Sequence, residues 1–293
     1  MRKALCFLAL LAAVLCLFGC ETEKKPLTAG EISFAPGEPM EADYLEKLKK
    51  DNRVSRREFV ADGFAYGVIL YGDELETTAQ TPFSVEAEEK DGALILRVRG
   101  ADALHPVLLP EWPAWSGRDL LALYDESGFR EYLLPAGANG DRTAFRADHD
   151  GEYRVMPAKP AQSGHTVFFS IDSEALLWDL YGTEEYLDIL ARDGYTLHPT
   201  AIEFTPGETA YELLKRVCKE RSIPVVSEVM SATGTEYVTG IGGLPAFDSN
   251  GWIYLVGGKF EMVGADEYVL RDGDRIAFRY SGQFGMDLGV RME

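Results

Sequence analysis

The sequence contains little cysteine, and this restricts how the protein can be stabilised. Only four cysteines occur in 293 residues. Cys6, Cys16 and Cys20 lie in or directly after an apolar N-terminal stretch, which leaves Cys218 as the one cysteine in the rest of the chain. A single cysteine cannot form an intramolecular disulfide, so each domain must be held together by its hydrophobic core. The remaining length is enough for two cores of ~100–150 residues each.

Positive charge is also scarce. The chain has 29 Lys and Arg residues against 48 Asp and Glu residues, a formal net charge of −19 at pH 7. Nucleic acid and anionic lipid headgroups are repelled by such a protein, so we exclude nucleic acid as a partner. The net charge says little about small ligands.

Patterns for catalysis and metal binding are missing from the sequence. The four histidines have no metal-ligand spacing, and none belongs to a nucleophile motif; they are His105, His149, His165 and His198. No glycine-rich phosphate loop joins a strand to a helix. Cys218 falls on the apolar side of a predicted helix, which is typical of a small core residue rather than a reactive thiol. We expect no enzymatic activity and no required cofactor.

The N-terminus carries an unbroken apolar run from Ala4 to Phe18, preceded by two basic residues. Its length fits a secretory signal and is short for a membrane-spanning helix, which needs ~20 residues. The ending Leu17-Phe18-Gly19-Cys20 resembles the lipobox of bacterial lipoproteins, in which the Cys is acylated and becomes the first mature residue. We predict a signal peptide over residues 1–19 and a lipid on Cys20 that attaches the protein to the extracytoplasmic face of the cell membrane. An ordinary cleaved signal peptide is the alternative.

Residues 20–56 are polar and interrupted by prolines, which predicts a lipid-anchored tether. One short helix is predicted within it, from Glu41 to Lys50. Its apolar face consists of Tyr44, Leu45 and Leu48. Because three apolar residues are too few to anchor a domain, we assign this helix to the tether.

Residues 57–157 show the pattern of short strands. Leu94, Leu96 and Val98 alternate with Ile95 and two arginines, which is the period of a half-buried strand. Further strands are predicted over Phe64 to Leu70, Phe83 to Ala87, Leu120 to Tyr124, Thr143 to Arg146 and Tyr153 to Val155. Turn pairs such as Asp-Gly and Asn-Gly separate them. The pattern predicts an all-β, sandwich-like middle domain.

Residues 158–164 have the composition of a linker, and residues 165–293 form a different kind of domain. Strands are predicted at Thr166 to Ile171, Ala201 to Phe204, Tyr237 to Ile241, Trp252 to Val256, Glu267 to Leu270 and Arg275 to Tyr280. Thr205-Pro206-Gly207-Glu208 matches a capping box with Pro at the first helical position, so a helix should begin there. One helix on a mixed sheet predicts an α+β, β-grasp-like domain. We expect the two domains to fold independently.

Several segments of the C-terminal domain carry a family likeness. They are Thr205-Pro-Gly-Glu-Thr-Ala-Tyr-Glu-Leu-Leu, Tyr237-Val-Thr-Gly-Ile, Gly251-Trp-Ile-Tyr-Leu-Val-Gly-Gly, Gly264-Ala-Asp-Glu-Tyr and Asp272-Gly-Asp-Arg-Ile-Ala-Phe-Arg-Tyr. Together they resemble the transcobalamin-like C-terminal domain, also called domain of unknown function DUF4430. The likeness covers about residues 166–281. Gly257-Gly258 stands where the family usually has Asn-Gly, and a type I′ turn accepts either pair.

The resemblance implies binding rather than catalysis. In intrinsic factor and transcobalamin, the related domain is the smaller half of a clamp around cobalamin, and the larger half is an all-helical barrel. Residues 57–157 do not look helical, so that larger half is absent here. The resemblance therefore implies a non-enzymatic extracytoplasmic lipoprotein with a ligand-binding module, for which a corrinoid (cobalamin) is the candidate ligand. The alternative is a cell-surface structural or protein-interaction module that binds no small molecule.

Four aromatic residues are the candidate ligand contacts. Trp252 and Tyr254 are two apart on a predicted strand, so they share one face. Two rings on one face can form a stacking platform, or they can be the half-covered side of a sheet. The resemblance places the Trp strand against the ligand, with Tyr268 and Tyr237 as lesser contributors. A concave pocket at Trp252 and Tyr254 would favour a small ligand, and a flat exposed sheet would favour a protein partner.

Some polar and aromatic segments have two interpretations. Asp148 to Glu152, Asp248 to Gly251 and Asp272 to Asp274 alternate oxygen ligands as a calcium loop does. None completes the 12-residue calcium pattern, and Asp or Asn next to Gly is also what tight turns prefer, so we predict turns. Trp112 and Trp115 form either an exposed contact for carbohydrate or protein, or a plug at one end of the sandwich.

Overall fold

The computed structural model of the protein describes residues 39–61, 64–137, 139–158, 164–178, 189–230, 234–246 and 250–288. The predicted signal peptide, Cys20, the first part of the predicted tether and most of the predicted linker lie outside these described residues. Within them, no helix is both long and apolar enough to cross a membrane.

The described residues are mostly β-structure, which confirms the predicted fold class at that level. The strands are β1 (Pro39–Met40), β2 (Val54–Ala61), β3 (Phe64–Tyr71), β4 (Thr81–Pro82), β5 (Ser84–Lys90), β6 (Ala93–Arg99), β7 (Val107–Glu111), β8 (Leu121–Asp125), β9 (Gly128–Leu133), β10 (Phe145–Arg146), β11 (Gly151–Pro157), β12 (Thr166–Asp172), β13 (Tyr195–Glu203), β14 (Val225–Val229), β15 (Glu236–Ile241), β16 (Leu244–Pro245), β17 (Gly251–Val256) and β18 (Arg275–Ser281). The α-helices are α1 (Ala42–Lys50), α2 (Ala101–Leu104), α3 (Ala175–Trp178) and α4 (Ala210–Glu220).

The middle domain contains two larger antiparallel sheets, with strand orders β10-β7-β3-β2 and β5-β6-β11-β8-β9. Residues of both sheets belong to one hydrophobic core, for example Val68 and Leu108 from the first and Leu96 from the second. Trp112 and Trp115 also lie in this core, their rings edge to face at 5.7 Å, so they are core residues rather than an exposed contact. The more specific sandwich-like arrangement stays a prediction.

The assignment of residues 39–56 to a tether is wrong. The apolar face of α1, Tyr44, Leu45 and Leu48, is fully buried in the middle-domain core. The Gly72 N–H donates to Arg53 O at 2.8 Å, and a Cβ at Gly72 would lie 2.1 Å from Leu48 O, so this close approach of two backbones requires glycine. The helix therefore belongs to the domain, because a small apolar face suffices when a larger core is there to receive it.

The C-terminal domain contains a mixed four-stranded sheet with the order β13-β12-β18-β17, in which β12 and β18 are parallel. A three-stranded sheet, β14-β15-β16, lies beside it in the same domain. Helix α4 shares its core with alternate residues of the larger sheet, including Phe169, Ile276 and Phe278. One helix on a mixed sheet agrees with the α+β prediction, and the β-grasp-like description stays a prediction.

Helix α4 begins four residues later than the capping pattern predicted. Its N-cap is Thr209, whose hydroxyl accepts from the Glu212 N–H at 3.2 Å while Glu212 Oε2 accepts from the Thr209 N–H at 3.0 Å. The segment predicted as a strand over 267–270 meets the start of this helix instead. Tyr268 O accepts from the Ala210 N–H at 3.0 Å, so its backbone satisfies the helix N-terminus rather than a sheet.

Candidate functional site

The two faces of the four-stranded sheet have different neighbours. Strand alternation turns Phe169, Ile276 and Phe278 toward the core that α4 completes. The opposite face carries a row of smaller side chains, since Ala277 pairs with Ser170 on one side and with Leu255 on the other. Helix α4 packs against the first face, and the second face is turned toward the middle domain.

A large cleft, of about 1640 Å³, lies over this second face. Phe168, Ser170, Leu255, Arg275 and Ala277 form what we call the cleft floor. The middle domain supplies the facing wall from residues 116–120, 134–135, 139–140 and 157–158, and the turn after β17 supplies one end with residues 257–260. The cleft therefore combines residues of both domains.

The charge of the cleft lining differs from that of the chain. Most lining residues are apolar, and the charged ones are Arg118, Asp119, Lys259, Arg275 and Arg279. Four cations and one carboxylate line the cleft of a protein whose net charge is −19. An apolar pocket with a few convergent charged groups is the usual form of a small-molecule site.

Arg275 connects the two walls of the cleft. Its guanidinium Nη2 donates to the carboxylate of Asp119, which belongs to the middle domain. The Nε atom of Arg275 is buried and has no hydrogen-bond partner among the described residues. The turn Gly257-Gly258 lies beside Asp119, and both glycines have positive φ (57° and 76°), as a type I′ hairpin turn requires.

A second cation, Arg279, is buried where the domains meet. Its Nε donates to both oxygens of Asp172 at 3.1 Å, and its Nη1 donates to the backbone oxygen of Pro135 in the middle domain at 2.7 Å. Glu174 lies 3.3 Å from Nη2 and also accepts from the Tyr195 hydroxyl at 3.2 Å. Burial raises the pKa of Asp172 and raises that of Glu174 further, because one guanidinium only partly compensates two desolvated carboxylates.

His198 provides a further link between the domains. Its Nε2 lies 3.0 Å from Asp193 and 3.3 Å from Glu131 of the middle domain, and its ring stacks on Tyr195 at 4.3 Å. Burial opposes the charged form, but the hydrogen bond and charge of Asp193 outweigh it and raise the pKa of His198. With contacts of this kind joining the domains, their independent folding stays a prediction.

Trp252 and Tyr254 share one face, and that face is the one covered by the core. Trp252 is 5% exposed, donates from Nε1 to Leu244 O at 3.0 Å and packs edge to face on Tyr280 at 5.3 Å. Tyr254 is partly buried and donates its hydroxyl proton to Val263 O at 2.7 Å. Neither residue lines the cleft. The concave surface lies on the opposite side of the strand, at Leu255.

The two lesser candidates lie apart from the cleft as well. Tyr268 is 9% exposed and donates to the Asp274 carboxylate at 3.0 Å, and burial raises its pKa to about 12. Tyr237 is 46% exposed on β15 of the other sheet. The contact of these four rings with a ligand stays a prediction. Period-2 alternation identified which residues share a face, but it contains no information on what covers that face.

Residues 207–282 match a family model, the domain of unknown function DUF4430. We call the C-terminal domain that contains this segment the DUF4430 domain. It contains α4, most of the C-terminal strands and the cleft residues Leu255, Arg275 and Arg279. The match confirms the family resemblance over the part of the chain that it covers.

The chain was also compared with solved structures and with curated proteins. Among solved structures, a crystal structure of haptocorrin in complex with Cbi matches at 22% identity with a TM-score of 0.31. The match covers 43% of this chain and 27% of the haptocorrin chain, so the likeness involves a minor part of that protein. No curated protein matches this chain.

The remaining polar candidates have structural partners. Asp272 accepts from the Thr166 N–H at 3.0 Å and Asp150 accepts from the Ala101 N–H at 2.7 Å, as turn residues do. Asp248 and Ser249 of the segment Asp248 to Gly251 lie outside the described part of the chain. No cluster of three or more metal-binding side chains occurs among the described residues. Cys218 is buried in the α4 core, and burial raises its pKa to about 12.

Proposed function

We propose that this protein is a non-enzymatic ligand-binding protein whose ligand occupies the cleft between the middle domain and the DUF4430 domain. The observation that carries the proposal is the cleft floor. Phe168 presents a partly exposed ring to a space of about 1640 Å³ on the sheet face opposite α4, while Leu255 (1% exposed) and Ala277 (8% exposed) lie buried beside it. Exposed apolar area of this kind is stabilised when a ligand covers it, at roughly 25 cal/mol per Å².

The size and position of the cleft support this function. Typical pockets for small molecules measure ~300–1,000 Å³ and are often found between domains. A larger cleft suits a larger ligand, one that contacts the sheet and the facing loops together. The middle domain would then supply the second wall of the site.

A corrinoid is the ligand class we propose to test first, because the transcobalamin-like resemblance implies it. The described residues contain no all-helical domain that could act as the other half of such a clamp, so we expect incomplete closure around the ligand. We therefore expect binding in the micromolar range, about −8 kcal/mol, rather than tighter.

The experiment is a titration of cobalamin into the purified protein, followed by heat and by absorbance. Phe168→Ala removes a ring from the cleft floor, and Phe129→Ala removes a ring that is 50% exposed on β9 and does not line the cleft. The proposal expects saturable binding that Phe168→Ala weakens by about tenfold, from ~1–2 kcal/mol of lost apolar contact. The matched Phe129→Ala variant should bind as the parent does. Equal binding by both variants would place the ligand elsewhere.

A protein-interaction function has one observation of its own. Strand β14 lies at the edge of the three-stranded sheet, and Val226 and Val229 on it are 58% and 61% exposed. Edge strands with exposed apolar residues can pair with another chain. If Val226→Lys changes the oligomeric state in sedimentation while no ligand is found for the cleft, this alternative becomes the better account.

We also propose that Cys20 carries the lipid that anchors the protein outside the cytoplasm. The support is the lipobox-like ending of the apolar N-terminal run. Intact mass spectrometry of the native protein should show an acylated Cys20 at the N-terminus, and Cys20→Ala should release the protein from the membrane fraction or leave its precursor uncleaved. An unmodified N-terminus at another residue would contradict the anchor.

A further inference from the structure

The charged groups of the cleft point to a more specific ligand than apolar contacts alone. We propose that the cleft binds an amphipathic anion, a ligand with an apolar body and a carboxylate, phosphate or sulfonate group, and that Arg275 is the anion-binding residue. In the absence of ligand, Asp119 occupies part of that position. This inference rests on the proposed function, since it assigns chemistry to the same cleft.

The first argument is the incomplete pairing of Arg275. A guanidinium offers two parallel N–H groups to a bidentate anion. Asp119 accepts from Nη2, while Nε is buried and has no partner among the described residues. A buried donor without a partner is unfavourable by ~1–3 kcal/mol. A ligand anion that accepts from both Nε and Nη2 would satisfy this donor, which Asp119 does not.

The second argument is where the Arg275–Asp119 pair lies. Asp119 belongs to the middle domain and Arg275 to the cleft floor, so the pair spans the cleft. Both side chains are about one-third exposed (34% for Arg275 and 30% for Asp119), so solvent reaches the pair and its contribution to stability is small. The pair can therefore open at low cost.

The third argument is the surrounding charge. Arg118 and Lys259 also line the cleft, and Asp119 is the one carboxylate among the residues that line it. When a ligand anion displaces Asp119 from Arg275, these cations line the same cleft as the new charge. The apolar body of the same ligand would lie on the partly exposed ring of Phe168. Attraction of an anion against a net charge of −19 requires such a local concentration of cations.

Two fluorescent probes with nearly the same rings separate the apolar and the anionic parts of this proposal. Anilinonaphthalene sulfonate carries an anionic group, and N-phenylnaphthylamine lacks it. Both are titrated into the full chain. We expect Arg275→Gln and Arg275→Lys to weaken sulfonate binding by about tenfold, the value of one charge-assisted hydrogen bond, because Gln removes the charge and Lys removes the fork. Binding of the neutral probe should change less than twofold.

Asp119→Asn provides the opposite test. Removing the competing carboxylate should strengthen sulfonate binding several-fold and leave the neutral probe unchanged. Arg221→Gln, on an exposed residue just after α4, is the matched control and should alter neither probe. Circular dichroism checks that each variant is folded. If Arg275→Gln does not fold, Arg275→Lys, which keeps the charge, is measured in its place.

The outcomes distinguish the two proposals. If the neutral probe does not bind, or binds equally to the Phe168→Ala variant, the cleft is not a ligand site and the proposed function fails. If the neutral probe binds in the cleft but Arg275→Gln and Arg275→Lys leave sulfonate binding unchanged, the ligand site stands and the anion proposal is overturned. A sulfonate affinity that does not fall with added salt would also contradict it.

Discussion

The two faces of the four-stranded sheet in the DUF4430 domain differ in chemistry and in what covers them. The face toward α4 is rich in aromatic rings, among them Phe169, Trp252 and Phe278, and it is closed. The face toward the middle domain has smaller side chains and two arginines, Arg275 and Arg279, and it borders the cleft. The face that looked most like a ligand platform is the core.

The difference shows that aromatic content alone does not identify a binding face. Rings such as Trp252 bury a large area and are most stabilising where a helix covers them completely. A ligand surface must instead remain uncovered in the folded protein, which limits how much apolar area it can expose. In the cleft floor, Phe168 is the partly exposed ring, and its neighbours Ala277 and Ser170 are small and buried, so the uncovered apolar area is limited.

The neighbouring residues Phe168 and Phe169 allow the sharpest test of this comparison. Phe169 is fully buried in the α4 core, whereas Phe168 is partly exposed in the cleft. We expect Phe169→Ala to lower the free energy of unfolding by about 4 kcal/mol, the usual effect of a core cavity. Phe168→Ala should lower it by only about 1 kcal/mol, mainly through its edge-to-face contact with Tyr132 at 5.5 Å.

Urea denaturation of the two variants measures the difference directly. Because the substitutions are chemically identical and adjacent in β12, unfolded-state effects largely cancel. Equal losses of stability would mean that both faces are core, and the distinction between a closed face and a cleft face would be lost.

The buried arginine gives the next largest effect. Arg279→Met leaves Asp172 and Glu174 buried without their cation and removes the hydrogen bond to Pro135 O. We expect the free energy of unfolding to fall by about 3 kcal/mol. This is the lower end of the range for breaking a buried ion pair, because protonation of the two carboxylates offsets part of the cost. Adding Asp172→Asn and Glu174→Gln should recover part of the stability. The control is Arg221→Met, on an exposed side chain, which should change the free energy of unfolding by less than ~0.5 kcal/mol.

The smallest expected effect is a pH dependence of the contact between the domains. The pKa of His198 is raised in the folded state, so its contribution is fully present below the ordinary histidine pKa of ~6.5 and is lost as pH rises through the raised value. The raised pKa of Glu174 acts in the same direction, because above the ordinary glutamate pKa of ~4.3 the unfolded state releases a proton that the folded state still holds, so stability falls as pH rises. The pKa of Asp193 is lowered, so its contribution to stability is lost only in acid and stays constant at neutral and higher pH.

Thermal unfolding measured between about pH 6 and pH 9 should therefore show declining stability. His198→Asn should flatten part of the decline and Glu174→Gln another part. If the slope is unchanged in both variants, these groups do not control the contact between the domains.

Much of the fold could be predicted from local patterns. The strands with clear alternation, such as β6 and β17, appear close to their expected bounds, and a helix is present near the capping pattern that predicted one. Strands β2, β7 and β9 were not predicted. β9 (GFREYL) buries only Leu133 among its six residues, so it has little apolar periodicity to detect.

The sequence by itself determined the mostly β composition, the family of residues 207–282 and the pairs of residues that share a strand face. These follow from local periodicity and from short motifs, because neighbouring residues on a strand must point to opposite sides. Only the tertiary structure decided that α1 joins the middle domain, that Trp252 is covered and that Arg275 meets Asp119. Those outcomes depend on contacts between segments far apart in the chain, and local patterns do not contain the identity of a distant partner.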